Sequence, residues 1–325
     1  MKMLVLGGTV FLSHAVASVA LRRGHTVVCA HRGRSGLAPA GAKDLFLDRD
    51  DAPADGSEAL AGRRFDAVVD VATREPRWVR EALTVLAAGA KHWTFVSSVS
   101  VYADTATPGQ DASAERVAVL DAHTPDEQKY VRAKRSSEDA VLETMGDRAF
   151  IVRPGLVAGP GDPSDRYGYW PARFTRGGPV AVPDTLAAPT QVIDVGDVAA
   201  WIVTAAEHRL HGCFDAVAPA QPLGEVLARS GGAGAELVPV SQHALLAAGV
   251  SPWSGPRSLP LWAPQPEMAG FGARDVSASL AAGLALRPLT ETAQRALAHE
   301  KTLGLGRQRK SGLTPEDETR ILKGA

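Results

Sequence analysis

Apolar positions in the first half of the chain fall into two alternating textures. Short runs rich in β-branched residues predict strands at 2–6, 25–30, 45–47, 67–71, 93–97 and 150–153. Between them, apolar residues recur every three or four positions, which predicts helices at 11–23, 76–88 and 124–144. Gly24 and Gly89 stand where helices commonly end on a glycine. Strand and helix alternating at this pitch predict an α/β fold, a Rossmann-type doubly wound parallel sheet.

After Arg153 the texture changes. Segment 154–190 is rich in Gly, Pro and aromatic residues and reads as irregular loop, ordered by its aromatics into the wall of a pocket. A strand and a helix resume over 192–208, and a mixed tail follows. Near the end, Thr314, Pro315 and three acids at 316–318 provide a cap, a first-turn proline and negative charge for a terminal helix. The basic stretch 307–310 reads as a mobile connector to it. This organisation gives a dinucleotide-binding domain over 1–153, to which 191–208 returns, and a smaller C-terminal substrate-binding lobe and tail over 154–325.

Composition narrows the classes of function. With 35 basic and 36 acidic residues the net charge is −1, which lacks the electrostatic footprint of a nucleic-acid binder. No run is long enough for a membrane span and no leader is visible, so no membrane partner is expected. Cys29 and Cys213 have no CxxC neighbour, which suits a reducing, cytoplasmic compartment and argues against a metal site. His208 and His211, three apart, lack a third ligand nearby and read as surface histidines. The chain contains no asparagine, so chemistry that needs an Asn side chain is excluded.

Candidate chemistry begins where the first strand runs into Gly7-Gly8-Thr9-Val10-Phe11-Leu12. A glycine turn opening a helix lets backbone N–H groups approach a pyrophosphate. At the end of the second strand, where an acid would hold a ribose 2′-hydroxyl, stand Arg32 and Arg34. Guanidinium groups at that place suit a 2′-phosphate, so NADP(H) is expected over NAD(H). Asp48, after the third strand, is the candidate for the adenine amino group.

The fifth strand ends in Ser97-Ser98-Val99-Ser100-Val101-Tyr102, a hydroxyl cluster at the edge where open α/β sheets bind ligands. Tyr130 and Lys134 lie four residues apart on one helical face. A fixed ammonium near the phenol is expected to lower its pKa from about 10 towards a useful range.

Glycine turn, basic second strand, serine-rich fifth strand, then Tyr and Lys in the next helix: in this order the chain resembles the short-chain dehydrogenase/reductase superfamily. The similarity is to its extended branch, the NAD-dependent epimerase/dehydratase-like proteins. The resemblance covers nearly the whole chain and is strongest at 4–12, 70–72, 95–102, 130–134, 153–160 and 192–199. It implies a catalytic set of Ser98, Tyr130 and Lys134, the serine being the one four residues before the tyrosine of Val101-Tyr102. Lys134 would also hold the nicotinamide ribose. Arg153-Pro154-Gly155-Leu156-Val157-Ala158-Gly159-Pro160 matches a family motif whose backbone, here Pro154 to Val157, meets the carboxamide. With Gly7, Gly8, Thr9, Phe11, Leu12, Val71, Ala72 and Ser97 these complete the expected cofactor contacts. Relatives often form dimers, and a homodimer is the expected assembly.

Two departures stand out. Val10 and Ser13 replace the second and third glycines of the family's turn, and the asparagines typical of nucleotide-sugar binders are missing. Thr73, Tyr167, Tyr169, Trp170, Arg166 and Arg173 are the candidate substrate residues, the aromatics suiting a compact, partly apolar molecule. The leading expectation is therefore an NADP(H)-dependent reductase acting on a carbonyl or imine of a small metabolite, without productive binding of nucleotide diphosphate sugars. The alternatives are a nucleotide-sugar epimerase or dehydratase with retained cofactor, and a non-catalytic cofactor-binding scaffold or sensor.

Overall fold

The structure, a computed structural model, describes residues 1–50 and 59–324. In the first half, β1 (Lys2–Leu6), α1 (Phe11–Arg22), β2 (Thr26–His31), β3 (Lys43–Phe46), β4 (Ala67–Asp70), α2 (Pro76–Leu86), β5 (Trp93–Val96), α3 (Asp126–Met145) and β6 (Ala149–Pro154) follow the predicted order. Observed and predicted ends agree to within two or three residues.

The second half opens with β7 (Leu156–Ala158), α4 (Arg166–Phe174), β8 (Val180–Pro183), β9 (Pro189–Thr190), β10 (Val192–Asp194) and α5 (Val195–His208). It continues with β11 (Gly212–Ala216), β12 (Gln221–Pro222), α6 (Leu223–Leu227), β13 (Leu237–Val240) and α7 (Gln242–Ala247). Short helix α8 (Ser277–Ala281) precedes α9 (Leu289–Leu303) and the terminal α10 (Pro315–Gly324).

Seven parallel strands form the central sheet in the order β11-β6-β5-β4-β1-β2-β3. Strand order reverses between β1 and β4, and the crevice outside the carboxyl ends at that point is where such sheets bind ligands. Both faces are covered, which is why the central strands are apolar without alternation: Leu4, Val5, Val68 and Val69 are all fully buried. One face packs on α1 and α5 through residues such as Val16, Ala20, Val198 and Ile202. The other packs on α2 and α3 through Val79, Leu83, Leu86 and Val141. A third core, holding Tyr167, Trp170, Val180, Leu227 and Trp262, belongs to the second half.

Segment 154–190 is not loop. It contains β7, β8 and α4, and α4 hides from a periodicity search because it has almost no polar face: seven successive residues from Tyr167 to Arg173 are buried. Gly168, which reads as a breaker, is the point where Glu300 of α9 presses against the helix. The basic stretch 307–310 is pinned rather than mobile. Arg307 pairs with Asp165 at 3.0 Å, and Arg309 with Glu300 at 2.7 Å. Thr314 caps α10 by accepting from the Asp317 N–H at 3.1 Å, as predicted.

Candidate active site and cofactor cleft

A cleft of about 300 Å³ opens at the carboxyl ends of β1, β2 and β4, lined among others by Gly7, Thr9, Val10, Arg32, Val71 and Thr73. Its floor depends on missing side chains. A Cβ on Gly8 would lie 2.5 Å from the Cys29 Sγ, and one on Gly7 3.0 Å from Val71, both at positive φ. Ser13 takes the third glycine's place without obstruction, because its hydroxyl turns back to donate to the Val10 carbonyl at 2.8 Å. The second replacement matters more. Val10 stays extended as the residue before α1, and the left-handed conformation falls on Phe11 at φ 43°. A backbone-lined cleft at a helix N-terminus is of the kind that suits a dinucleotide pyrophosphate, the group expected at Gly7 to Leu12.

The basic end of β2 is less free than its sequence suggests. Arg32 lines the cleft but pairs with Asp50 at 3.3 Å. Arg34 does not line it; it points to Asp48 at 3.5 Å with its side chain 68% exposed. Asp48 also accepts from the Asp50 N–H at 3.1 Å and is not among the cleft's lining residues. Arg49 went unnoticed in the sequence. It reaches under the cleft to bond both oxygens of the buried Asp70 at 3.3 Å and the Trp78 carbonyl at 2.5 Å, with its guanidinium over the Trp78 ring. Thr73, expected with the substrate, lines this same cleft.

Deeper in, β5 and α3 bring the three expected catalytic residues together. Ser98 caps a short turn of 3-10 helix (Val99–Val101), accepting from the Ser100 N–H at 3.1 Å. Tyr130 keeps 39% of its surface exposed, yet burial of its phenol end pushes its pKa up. The nearby Ser98 hydroxyl and the charge of Arg166 draw it part of the way back. Lys134 is buried and donates to the Ala72 and Val96 carbonyls, each at 2.6 Å. Burial lowers its pKa to about 8 against the support of Asp70 and Glu138. Lys134 thus holds the ends of β4 and β5 together at the cleft, and Arg166 is a second cation whose charge bears on the tyrosine. Ser97 is buried at the same edge, and its backbone N–H bonds the Val152 carbonyl at 2.7 Å.

Other motif residues prove to be framework. Arg153 of the Arg-Pro pair lies 1% exposed and holds Glu138 of α3 through two hydrogen bonds of 2.8 Å. It also donates to the Tyr102 hydroxyl at 2.8 Å, and Tyr102 donates to Asp215 of β11 at 2.5 Å. Burial tends to raise the Glu138 carboxyl, and the Arg153 contacts outweigh it, leaving the pKa below the ordinary value. Pro154 and Val157 are buried beside the β6–β7 junction, while Gly155 lines a narrow apolar cavity with Val99, Trp253, Leu261 and Phe271.

Most of the expected substrate residues sit elsewhere. Tyr167 bonds Ser230 at 2.8 Å, Trp170 donates to the Pro260 carbonyl at 2.8 Å, and Tyr169 is 3% exposed in the same lobe core. Arg173 is consumed by Glu318 of α10 at 2.6 Å. These four are packing and ion-pair residues of the lobe, whereas the charge of Arg166 bears on Tyr130.

Residues 3–213 match the family model described as "NAD dependent epimerase/dehydratase family", well over half of the chain. The chain belongs to that family. It is thus an extended short-chain dehydrogenase/reductase and a nicotinamide-dependent enzyme. No curated protein sequence matches it significantly. Among solved structures it is similar to a Burkholderia cenocepacia J2315 protein assigned as an epimerase without established activity, at 20% identity and TM-score 0.69, covering 93% of this chain and 98% of that one. It is also similar to UDP-glucose 4-epimerase from Thermotoga maritima, at 17% identity and TM-score 0.64, covering 93% and 100%. UDP-glucuronic acid 4-epimerase from Bacillus cereus, in complex with UDP-glucuronic acid and NAD, matches at 14% identity and TM-score 0.65, covering 93% and 100%. At these identities the likeness is one of fold. Among the described residues no helix is long and apolar enough to cross a membrane.

Proposed function

We propose that the protein interconverts a secondary alcohol and its ketone on a sugar-like substrate, as an epimerase or dehydratase that retains its cofactor through the cycle. The observation that carries this reading is Lys134 of α3, buried against the Ala72 and Val96 carbonyls at 2.6 Å, with Tyr130 one turn before it on the same helix and Ser98 just beyond the end of β5. The cleft expected to take the dinucleotide reaches Ala72, whose carbonyl accepts from Lys134. A bound nicotinamide would take the hydride from the carbinol carbon and return it. Tyr130 takes or gives the hydroxyl proton, Ser98 fixes the substrate oxygen, and Lys134 holds the cofactor side of the site. Family membership and the sugar-nucleotide enzymes among the structural relatives support nucleotide-linked sugars as the substrate class, against the expectation drawn from the missing asparagines.

A second reading, reduction of a small carbonyl by exchangeable cofactor, draws on the missing asparagines and on the apolar side chains of Leu156, Leu261 and Phe271 packed behind Val99. Two measurements separate them. Thermal shifts of the cofactor-loaded protein with uridine, guanosine and thymidine diphosphate sugars should show saturable stabilisation by at least one. Turnover of that sugar should then proceed with only catalytic amounts of cofactor. Silence across the panel, with stoichiometric consumption of reduced cofactor on a small ketone, would replace the first reading by the second.

Cofactor choice is part of the proposal. No acid at the end of β2 lines the cleft, and Arg32 does, with Asp50 sharing its charge. A charge-assisted bond to a 2′-phosphate contributes roughly 1.5–3 kcal/mol, so NADPH should bind about tenfold or more tightly than NADH. Arg32→Asp should remove or invert the preference. Equal affinities by calorimetry on the unaltered protein would contradict it.

A further inference from the structure

Lys134 has an unusual set of partners for a buried cation. Its ammonium donates to the Ala72 and Val96 carbonyls, each at 2.6 Å, and lies 5.1 Å from the centre of the Phe95 ring, so these contacts are all neutral. A buried ammonium is ordinarily matched by a carboxylate. Two carboxylates are close enough to act on it, Asp70 at the end of β4 and Glu138 one turn further along α3. Each is taken by arginine. Arg153 of β6 and Arg116 hold Glu138 through bonds of 2.8 Å. Arg49, from the segment after β3, holds both oxygens of Asp70 at 3.3 Å. The Asp70 side chain is fully buried and that of Arg49 only 17% exposed, so solvent ions screen this pair little.

The turn after β4 keeps carboxylate and lysine apart. Asp70 Oδ1 accepts from the Ala72 N–H at 2.9 Å, while the Ala72 carbonyl accepts from Lys134. One turn thus binds Arg49 through its carboxylate and Lys134 through its carbonyl. Arg49 is fixed from a third side as well, donating to the Trp78 carbonyl at 2.5 Å with its guanidinium 5.6 Å from the centre of the Trp78 ring. Arg49, Ala72 and Trp78 all line the cleft at the carboxyl ends of β1, β2 and β4. We infer that Arg49 is a positioning residue: by claiming the Asp70 carboxylate it fixes the turn at 70–72 and leaves Lys134 held by neutral carbonyls. The inference rests on Lys134 standing at the cofactor side, as in the functional reading above, and adds what keeps that lysine poised. Two carboxylates already paired with arginine restore only part of what burial takes, and the ammonium titrates at about 8. The planar fork of a guanidinium suits this task, because it matches both oxygens of one carboxylate at once.

The test follows the lysine and the cofactor separately in the full-length protein. Carbon NMR of lysine labelled at Cε titrates Lys134, whose signal is assigned by its loss in Lys134→Gln, and calorimetry gives NADPH affinity from pH 7 to 10. Arg49→Met frees a carboxylate beside the ammonium, so the Lys134 midpoint should move to higher pH. Asp70→Asn removes that carboxylate and leaves Arg49 unpaired, so the midpoint should move to lower pH. Arg49→Lys should fall between Arg49→Met and the unaltered protein. NADPH affinity of the unaltered protein should drop about tenfold from pH 7 to 9, as for a group titrating at about 8, and the drop should follow the midpoint in each variant. A merely structural pair would weaken the fold in both variants without driving the midpoints apart. Midpoints that stay put, or that move the same way, would overturn the inference. Arg49→Lys and Asp70→Asn, conservative in size, carry that comparison should Arg49→Met fail to fold. Opposed midpoints with an affinity indifferent to them would support the coupling through Asp70 and overturn the cofactor role of Lys134 on which the inference rests.

Discussion

Lys134 carries two consequences of one fact, its burial. Its pKa is lowered from 10.5 to about 8, first by desolvation and against the attraction of Asp70 and Glu138. The charged form is therefore costly in the folded protein, and that cost is complete below about pH 8, where both folded and unfolded chains carry the proton. It is relieved as pH climbs from about 8 towards 10.5. Cofactor affinity should move the other way, falling through the same window as the ammonium that holds the ribose side is lost. Calorimetric titration of the cofactor from pH 7 to 10 checks this; an affinity flat across that range would show that the Lys134 charge plays no part in binding.

Val10 is the other telling residue. It leaves 37% of its surface at the mouth of the cleft and leaves the left-handed turn to Phe11, a conformation that costs a side-chain-bearing residue about 1–2 kcal/mol. Val10→Gly should open the approach to the pyrophosphate and raise cofactor affinity roughly tenfold, about 1.4 kcal/mol. An unchanged or weakened affinity would mean that the valine is no obstacle. Residue types and spacings alone pointed to Ser98, Tyr130 and Lys134. They gave no hint that Arg166 would stand over Trp253, because those two residues are 87 positions apart and meet only through the packing of the lobe.

Among the elements, those with a clear period were legible: β1, α1, α2, α3 and β6 fall almost where the pattern put them. The failures share a physical cause. Helix α4 is buried nearly all round, and so has no polar face to betray its period. Strand β11, Gly-Cys-Phe-Asp-Ala, has no β-branched residue, yet it pairs along its whole length with β6. What ties β11, β6 and α3 together is the chain Asp215, Tyr102, Arg153 and Glu138, all buried. Removing one partner from a buried pair strands the other charge and costs about 3–5 kcal/mol. Glu138→Ala should therefore lower stability to chemical denaturation by about that amount, more than any exposed substitution on α3. A loss below about 1 kcal/mol would mean that water reaches Arg153 and the network is not closed.

At the scale of the whole molecule, the sheet opens a cleft at its carboxyl edge and the second half packs around a core of its own. Thr73, Tyr167 and Trp170 were assigned to the substrate on composition, but composition cannot tell a pocket wall from a lobe core, and the latter is where both aromatics lie. The proposed function rests on Tyr130 as the proton-transferring group. Tyr130→Phe removes that proton and little else, since the side chain is partly exposed and its ring is retained. The decisive measurement is a single-turnover experiment with cofactor-loaded protein and the nucleotide sugar that stabilises it, following the near-ultraviolet absorbance of reduced nicotinamide. The unaltered protein should show the reduced form appearing, and Tyr130→Phe should slow its appearance by something like 10²–10⁴-fold with cofactor affinity intact. Reduction at an equal rate in both proteins would contradict the assignment of Tyr130 as the acid and base of this site.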